Sequence, residues 1–171
     1  EKGDFIHGKG KAETYEIIPA YIEHLRKNFS SFNRIKVVVD AGNGTAGLVA
    51  PRLIRELGCE VIELYCEPDG NFPNHHPDPT VMENIKDLIA KVVSSGANIG
   101  IGYDGDADRI GVVSDKEEVI WGDRLMIIFA RDIIESRRSE GITEKPIFIG
   151  EVKCSQIMYD EIERIGGNPI M

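Results

Sequence analysis

Asp104-Gly105-Asp106-Ala107-Asp108-Arg109 sets three carboxylates on alternate residues, spaced by Gly and Ala, and follows them with a guanidinium. Small spacers let the chain curl so that several Asp oxygens converge on one hard cation. Without a cation the three charges would repel one another, and at least one carboxylate would be driven to hold its proton. The alternative, a solvated acidic turn, fits poorly with the apolar run Ala97–Ile101 that leads straight into the cluster. In α/β folds the carboxyl end of such a strand is where sites are built. Arg109 would neutralise the acids and could also fork onto phosphate oxygens. A hard cation beside an Arg describes phosphoryl transfer, in which catalysis is largely positioning and charge neutralisation.

Two other acidic loops share part of this pattern. A calcium-binding EF-hand loop requires Gly at its sixth place and Glu at its twelfth; Arg109 and Asp115 stand there, and strands replace the flanking helices, so that option is excluded. A phosphatase of the haloacid-dehalogenase type also carries Asp-x-Asp after an apolar strand. It usually has Thr or Val at the fifth place, here Asp108, and is kept as the enzymatic alternative. A cation-binding module without turnover is the non-enzyme alternative.

Gly42-Asn43-Gly44-Thr45-Ala46-Gly47 matches GxGxxG after a strand, with Glu63 about 20 residues further on, as a dinucleotide site would have. Asp40 would set a negative charge against the pyrophosphate, and a tight strand-to-helix turn is the preferred reading. His75 and His76 stand in a proline-braced segment, Asp69 to Pro79, without a second cluster to complete a transition-metal site. Local hydrogen bonding of the imidazoles is expected, in a loop that could line the same cleft as the aspartates.

Behind these motifs the apolar spacing alternates strand and helix. Helices are expected over 12–29, with Pro19 a candidate kink, and over 45–57, 82–95, 123–137 and 155–165. Strands are expected over 35–39, 60–65, 97–103 and 147–149, with a hairpin of 110–114 and 118–121 and a polar break at 28–33. The fold class is α/β: a three-layer α/β/α sandwich on a mixed, mainly parallel sheet of about four strands, plus a partial second copy of the same kind of domain. The second copy rests on an echo: Val37-Val38-Val39, a helix and Leu57-Gly58 recur as Ile147-Phe148-Ile149, a helix and Ile165-Gly166.

The 171 residues carry 20 Lys+Arg against 29 Asp+Glu, a formal charge of −9. That balance argues against nucleic acid or an anionic membrane as partner. No apolar run approaches the roughly 20 residues of a membrane span. Cys59, Cys66 and Cys154 form no CxxC pair and read as reduced, buried thiols of a cytoplasmic protein. A chain starting at Glu1 and ending on Pro169-Ile170-Met171 reads as a fragment of a longer one.

Three segments stand in order: Val39-Asp40-Ala41-Gly42-Asn43-Gly44, Asp69-Gly70-Asn71-Phe72-Pro73-Asn74-His75-His76-Pro77-Asp78-Pro79, and Tyr103-Asp104-Gly105-Asp106-Ala107-Asp108-Arg109. Together they resemble the α-D-phosphohexomutases, nearest the bacterial phosphomannomutase/phosphoglucomutase type, and the likeness continues through Trp121-Gly122-Asp123-Arg124-Leu125 and Val152-Lys153-Cys154. The resemblance implies a four-domain enzyme of which this chain holds a tail of the first domain (1–13), the whole metal-binding second domain (14–118) and the start of the third (119–171). It implies Mg²⁺ on Asp104, Asp106 and Asp108, a phosphoserine from the first domain completing the site, and Arg109 touching that phosphoserine. Lys153 would approach a phosphosugar, a mannose or glucose phosphate, whose phosphate moves between the 6- and 1-positions through a bisphosphorylated intermediate. The phosphoserine loop lies outside 1–171, so this piece alone is expected to be inactive.

Overall fold

Val37, Val38 and Val39 are buried together, which a strand achieves only when both of its faces are covered. In the computed structural model, which describes residues 8–29 and 34–171, they lie in β1 (Lys36–Asp40), the second strand of a five-stranded sheet. The order is β2-β1-β3-β4-β5, with β2 Glu60–Leu64, β3 Ile99–Tyr103, β4 Ile110–Ser114 and β5 Val119–Ile120. β1 pairs parallel with β2 and β3, and β4 runs antiparallel to β3 and to β5. Four strands therefore share one direction, and β4 alone reverses.

The period-two alternation of β1 divides the core into two layers. Val37 and Val39 join Ala46, Ala50 and Cys66 under a 3-10 turn (Thr45–Leu48) and helix α2 (Ala50–Glu56). Val38 points the other way, to Leu88 and Val92 of helix α3 (Lys86–Ser95). Helix α1 (Ile17–Arg26) lies beside α2 and buries Ile22. α3 can press onto the sheet because β3 has glycines there: a Cβ on Gly100 would come within 2.6 Å of Val92 Cγ2 and 2.8 Å of Leu88 Cδ1. A left-handed Gly96 (φ 63°) closes α3 and returns the chain to β3.

The remaining residues build a second, smaller unit. Helix α4 (Gly122–Ser139) packs on helix α5 (Gln156–Ile165), which connects the parallel pair β6 (Ile147–Ile149) and β7 (Asn168–Ile170). Its core holds Ala130, Ile134, Phe148, Met158 and Ile162. The β-α-β echo in the sequence is thus an echo in topology: β1-α2-β2 and β6-α5-β7 are both parallel pairs joined through a helix.

Several expectations shift. The sheet has five strands rather than about four, since β5 adds an edge, and it reaches Ile120, past the expected domain end at 118. Trp121 lies beyond it, as the N-cap of α4. Within the expected helix 12–29, only Ile17–Arg26 is helical; Pro19 sits in the first turn, where its missing N–H costs nothing, so it starts the helix instead of kinking it. The expected helices 45–57 and 82–95 each open with a 3-10 turn, the second being Met82–Ile85. Of the cysteines only Cys66 is buried, its thiol pushed up to about 11 by burial, while Cys59 and Cys154 are half-buried. Residues 1–7 of the expected tail and 30–33 of the expected polar break lie outside the described residues. Among the described residues no helix is long and apolar enough to cross a membrane.

Candidate metal centre

β3 ends at Tyr103, and the next residue, Asp104, is 1% exposed. The turn that follows closes on itself: Ala107 N–H donates to the Asp104 carbonyl at 3.1 Å, and Asp104 N–H to the Arg109 carbonyl at 3.3 Å. The curl comes at Ala107, a left-handed residue at φ 64° that costs about 1–2 kcal/mol of backbone strain. This arrangement brings one carboxylate oxygen each from Asp104, Asp106 and Asp108 within 4.8 Å of one another. The donors are all hard oxygens on one short loop, two of them exposed, and they fit an oxygen-loving divalent cation.

The electrostatics mark the loop as under-neutralised. Burial tends to raise the Asp104 carboxyl, but Arg109 outweighs it: its backbone N–H donates to Oδ1 at 2.9 Å and its Nε to Oδ2 at 2.7 Å, so Asp104 stays below its ordinary value. Asp108 is raised instead, by its hydrogen bond with Asp104 and by the charges of Asp106 and Asp104. A divalent cation would relieve that repulsion.

Neighbouring segments hold the loop in place. Thr45 donates its N–H to the Gly105 carbonyl at 3.0 Å, so the turn after β1 and the aspartate loop after β3 form one piece. Gly44 permits the approach, since a Cβ there would lie 2.7 Å from Gly105 O. Gly47 likewise lies against Cys66, where a Cβ would come within 1.9 Å of the carbonyl oxygen. These contacts give the GxGxxG pattern its structural reason, and Glu63, the candidate ribose ligand, instead pairs with Arg55 at 2.5 Å on the surface.

Two side-chain pairings beside the loop are not foreseen in the sequence. One is that of Asp78, whose Oδ2 lies 3.2 Å from Arg109 Nη1. Its Oδ1 accepts from Thr80 Oγ1 at 2.7 Å and Thr80 N–H at 3.0 Å, and these bonds, with Arg109, hold its carboxyl below the ordinary value. The Asp-Pro-Thr string, a turn in which Asp bonds the residue two ahead, is the signal that could have flagged it. The other is the pairing of His75 with Asp40. His75 does bond locally, from Nδ1 to the His76 carbonyl at 3.0 Å, but its Nε2 reaches Asp40 Oδ2 at 3.1 Å across 35 residues of sequence. Asp40 is 1% exposed and no short-range pattern announces its partner.

Lys153 stands apart from the aspartates. It is exposed, with Nζ 4.0 Å from Glu151, on the rim of an open cleft of about 780 Å³ also lined by Trp121, Asp123 and Met158. The turn carrying it is held at both ends: Asp123 Oδ2 accepts from Ser155 N–H at 3.2 Å, and Tyr159 donates to the Glu151 carbonyl at 2.8 Å.

The family model described as phosphoglucomutase/phosphomannomutase, alpha/beta/alpha domain II matches residues 19–117, more than half of the chain. The chain belongs to this family. It is 47% identical over 171 residues to the phosphomannomutase/phosphoglucomutase of Pseudomonas aeruginosa, covering 100% of this chain and 36% of that protein. It is 42% identical over 173 residues to a phosphoglucomutase of Neisseria gonorrhoeae, again 100% of this chain and 36% of the other. Among solved structures, a phosphoglucomutase/phosphomannomutase family protein from Burkholderia thailandensis superposes with a TM-score of 0.88 at 40% identity, over 98% of this chain and 35% of that one. The chain thus spans only about a third of the length of the family members it matches.

Proposed function

We propose that this chain is the metal-binding part of a phosphohexomutase that moves phosphate between the 6- and 1-positions of mannose or glucose phosphates. On this reading residues 14–118 are the second domain of the enzyme, and 119–171 begin the third. The remaining domains of the same polypeptide are its partners, and a cytoplasmic location suits the sugar-phosphate substrate. One observation carries the reading: three Asp oxygens within 4.8 Å of one another, beside Arg109, in a family domain whose relatives carry mutase names.

The residues divide the work by position and exposure. Asp104, Asp106 and Asp108 would hold Mg²⁺, which when bound supplies a charge that polarises a phosphoryl group and stabilises the oxygen it leaves. Asp104 is buried and fixed by two bonds from Arg109, so it acts as the rigid ligand. Asp106 and Asp108 are exposed and can swing onto the ion. Arg109 uses Nε on Asp104 and Nη1 on Asp78, and its guanidinium, about half exposed, would also donate to a phosphate oxygen, as on a phosphoserine from the preceding domain. Lys153, on the separate cleft, would meet the phosphosugar. The haloacid-dehalogenase reading finds no support in the family match.

The test is an assay of the complete polypeptide for conversion of glucose 1-phosphate and mannose 1-phosphate to the 6-phosphates, with and without Mg²⁺. Turnover that requires Mg²⁺ supports the reading. Turnover by residues 1–171 alone would overturn the assignment of the reacting serine to another domain.

A further inference from the structure

Arg109 lies among three carboxylates. Its Nε donates to Asp104 at 2.7 Å, the same Nε passes Asp108 at 3.6 Å, beyond hydrogen-bond range, and its Nη1 meets Asp78 at 3.2 Å. Asp104 and Asp108 belong to the aspartate loop. Asp78 comes from the proline-rich segment between β2 and α3, and nothing in the aspartate loop itself would supply that third contact. Asp78 is only partly exposed, 20% at its side chain, and its other oxygen is already engaged by Thr80. Its second oxygen is therefore presented to the guanidinium in a set orientation.

The segment that carries Asp78 is itself fastened at several points. His75 presents both ring nitrogens to acceptors, Nε2 to Asp40 and Nδ1 to the His76 carbonyl. Asn74 donates to Asn43 Oδ1 at 2.8 Å, and Pro77 lies where a Cβ on Gly42 or on Gly105 would meet it, at 3.0 and 3.4 Å. Asp78 is thus delivered to Arg109 by a strap hydrogen-bonded to the end of β1 and the turn after it, which packs against the aspartate loop only at Gly105.

We propose that Asp78 is a positioning residue: it holds the outer end of the Arg109 guanidinium through Nη1 and keeps it from closing on Asp108, leaving that carboxylate to the divalent cation. The proposal rests on the reading of Asp104, Asp106 and Asp108 as the cation site. Without the Asp78 charge, the guanidinium is left with Asp108, already 3.6 Å from Nε, as its next carboxylate beyond Asp104, and Arg109 becomes a competitor of the metal. Groups that orient a metal site from outside its ligand set typically carry tenfold or more in affinity.

The measurement is Mg²⁺ affinity by titration calorimetry on the complete polypeptide, for wild type, Asp78→Asn, Arg109→Gln and the double variant. Asp78→Asn is expected to raise the Mg²⁺ Kd about tenfold. In the Arg109→Gln background the same change is expected to move Kd by less than about twofold, because the effect passes through the guanidinium. Asp78→Glu, which keeps the charge, is expected to recover most of the affinity. An equal change from Asp78→Asn in both backgrounds, or no change in either, would overturn the proposal. If Asp106→Asn abolished Mg²⁺ binding while Asp78→Asn left it intact, this proposal alone would fall; if wild type bound no Mg²⁺, the cation reading would fall with it.

Discussion

His75 Nε2 lies 3.1 Å from Oδ2 of the buried Asp40, while the other ring nitrogen faces the carbonyl of His76. Both partners accept hydrogen bonds, so the arrangement is fully satisfied only by an imidazolium. The bond to Asp40 raises the His75 pKa against the opposing effect of burial, and the ring of Tyr65 packs edge-on at 5.5 Å.

A pH dependence follows with a definite sign. A raised His pKa means the ring gains stability from its partner while charged: the contribution is full below about 6.5, the ordinary value, and is lost as pH rises through the folded-state value. Thermal denaturation between pH 5.5 and 9 should therefore show wild type exceeding His75→Gln most at the acid end, with the gap closing toward pH 9. Parallel curves would mean that His75 stays in one charge state.

Replacing the ligands should separate chemistry from stability. Asp106 is exposed and accepts no hydrogen bond among the described residues, so Asp106→Asn is expected to lower mutase activity of the complete polypeptide at least a hundredfold with Tm within about 2 °C of wild type. Asp104 is buried and takes two bonds from Arg109, so Asp104→Asn should in addition cost about 1–3 kcal/mol of stability, readable in urea unfolding. Near-wild-type rates for Asp106→Asn would refute its assignment as a ligand.

Cation binding should be visible as stabilisation. Mg²⁺ that binds only the folded protein adds about 2.7 kcal/mol at a concentration one hundred times its Kd. Tm is expected to rise with Mg²⁺, to fall back on addition of a chelator, and to stay flat for Asp106→Asn.

The glycines beside the site make a paired prediction. A Cβ on Gly44 meets Gly105 O at 2.7 Å, whereas one on Gly105 meets only Pro77 and Phe72 side-chain atoms at 3.4 and 3.6 Å. Gly44→Ala should destabilise by about 1–3 kcal/mol and weaken Mg²⁺ binding by displacing the aspartate loop. Gly105→Ala should leave stability within about 0.5 kcal/mol of wild type in the same unfolding assay. Equal losses would remove the basis for treating the two loops as one piece.

The sandwich and its aspartate loop were legible because their signals are local. Three valines in a row at the start of a βα repeat mark a strand covered on both sides, and Asp-x-Asp-x-Asp after an apolar run marks a loop that can gather its carboxylates at the end of a strand. Boundaries were less legible. Pro19 reads equally as a kink or as a first-turn residue until the helix start is known, and β5 is a two-residue strand whose pairing with β4 decides that it exists at all.

Residue order alone determined which atoms could bind a cation and that an α/β scaffold would present them at the end of a strand, since spacing and period are properties of the chain itself. Only the tertiary structure decided that Asp78 meets Arg109, that His75 meets Asp40 and that Thr45 holds Gly105, pairs separated by 31, 35 and 60 residues. Contacts across such distances depend on how helices and loops pack over the sheet, and that packing is fixed by the shape of the whole core.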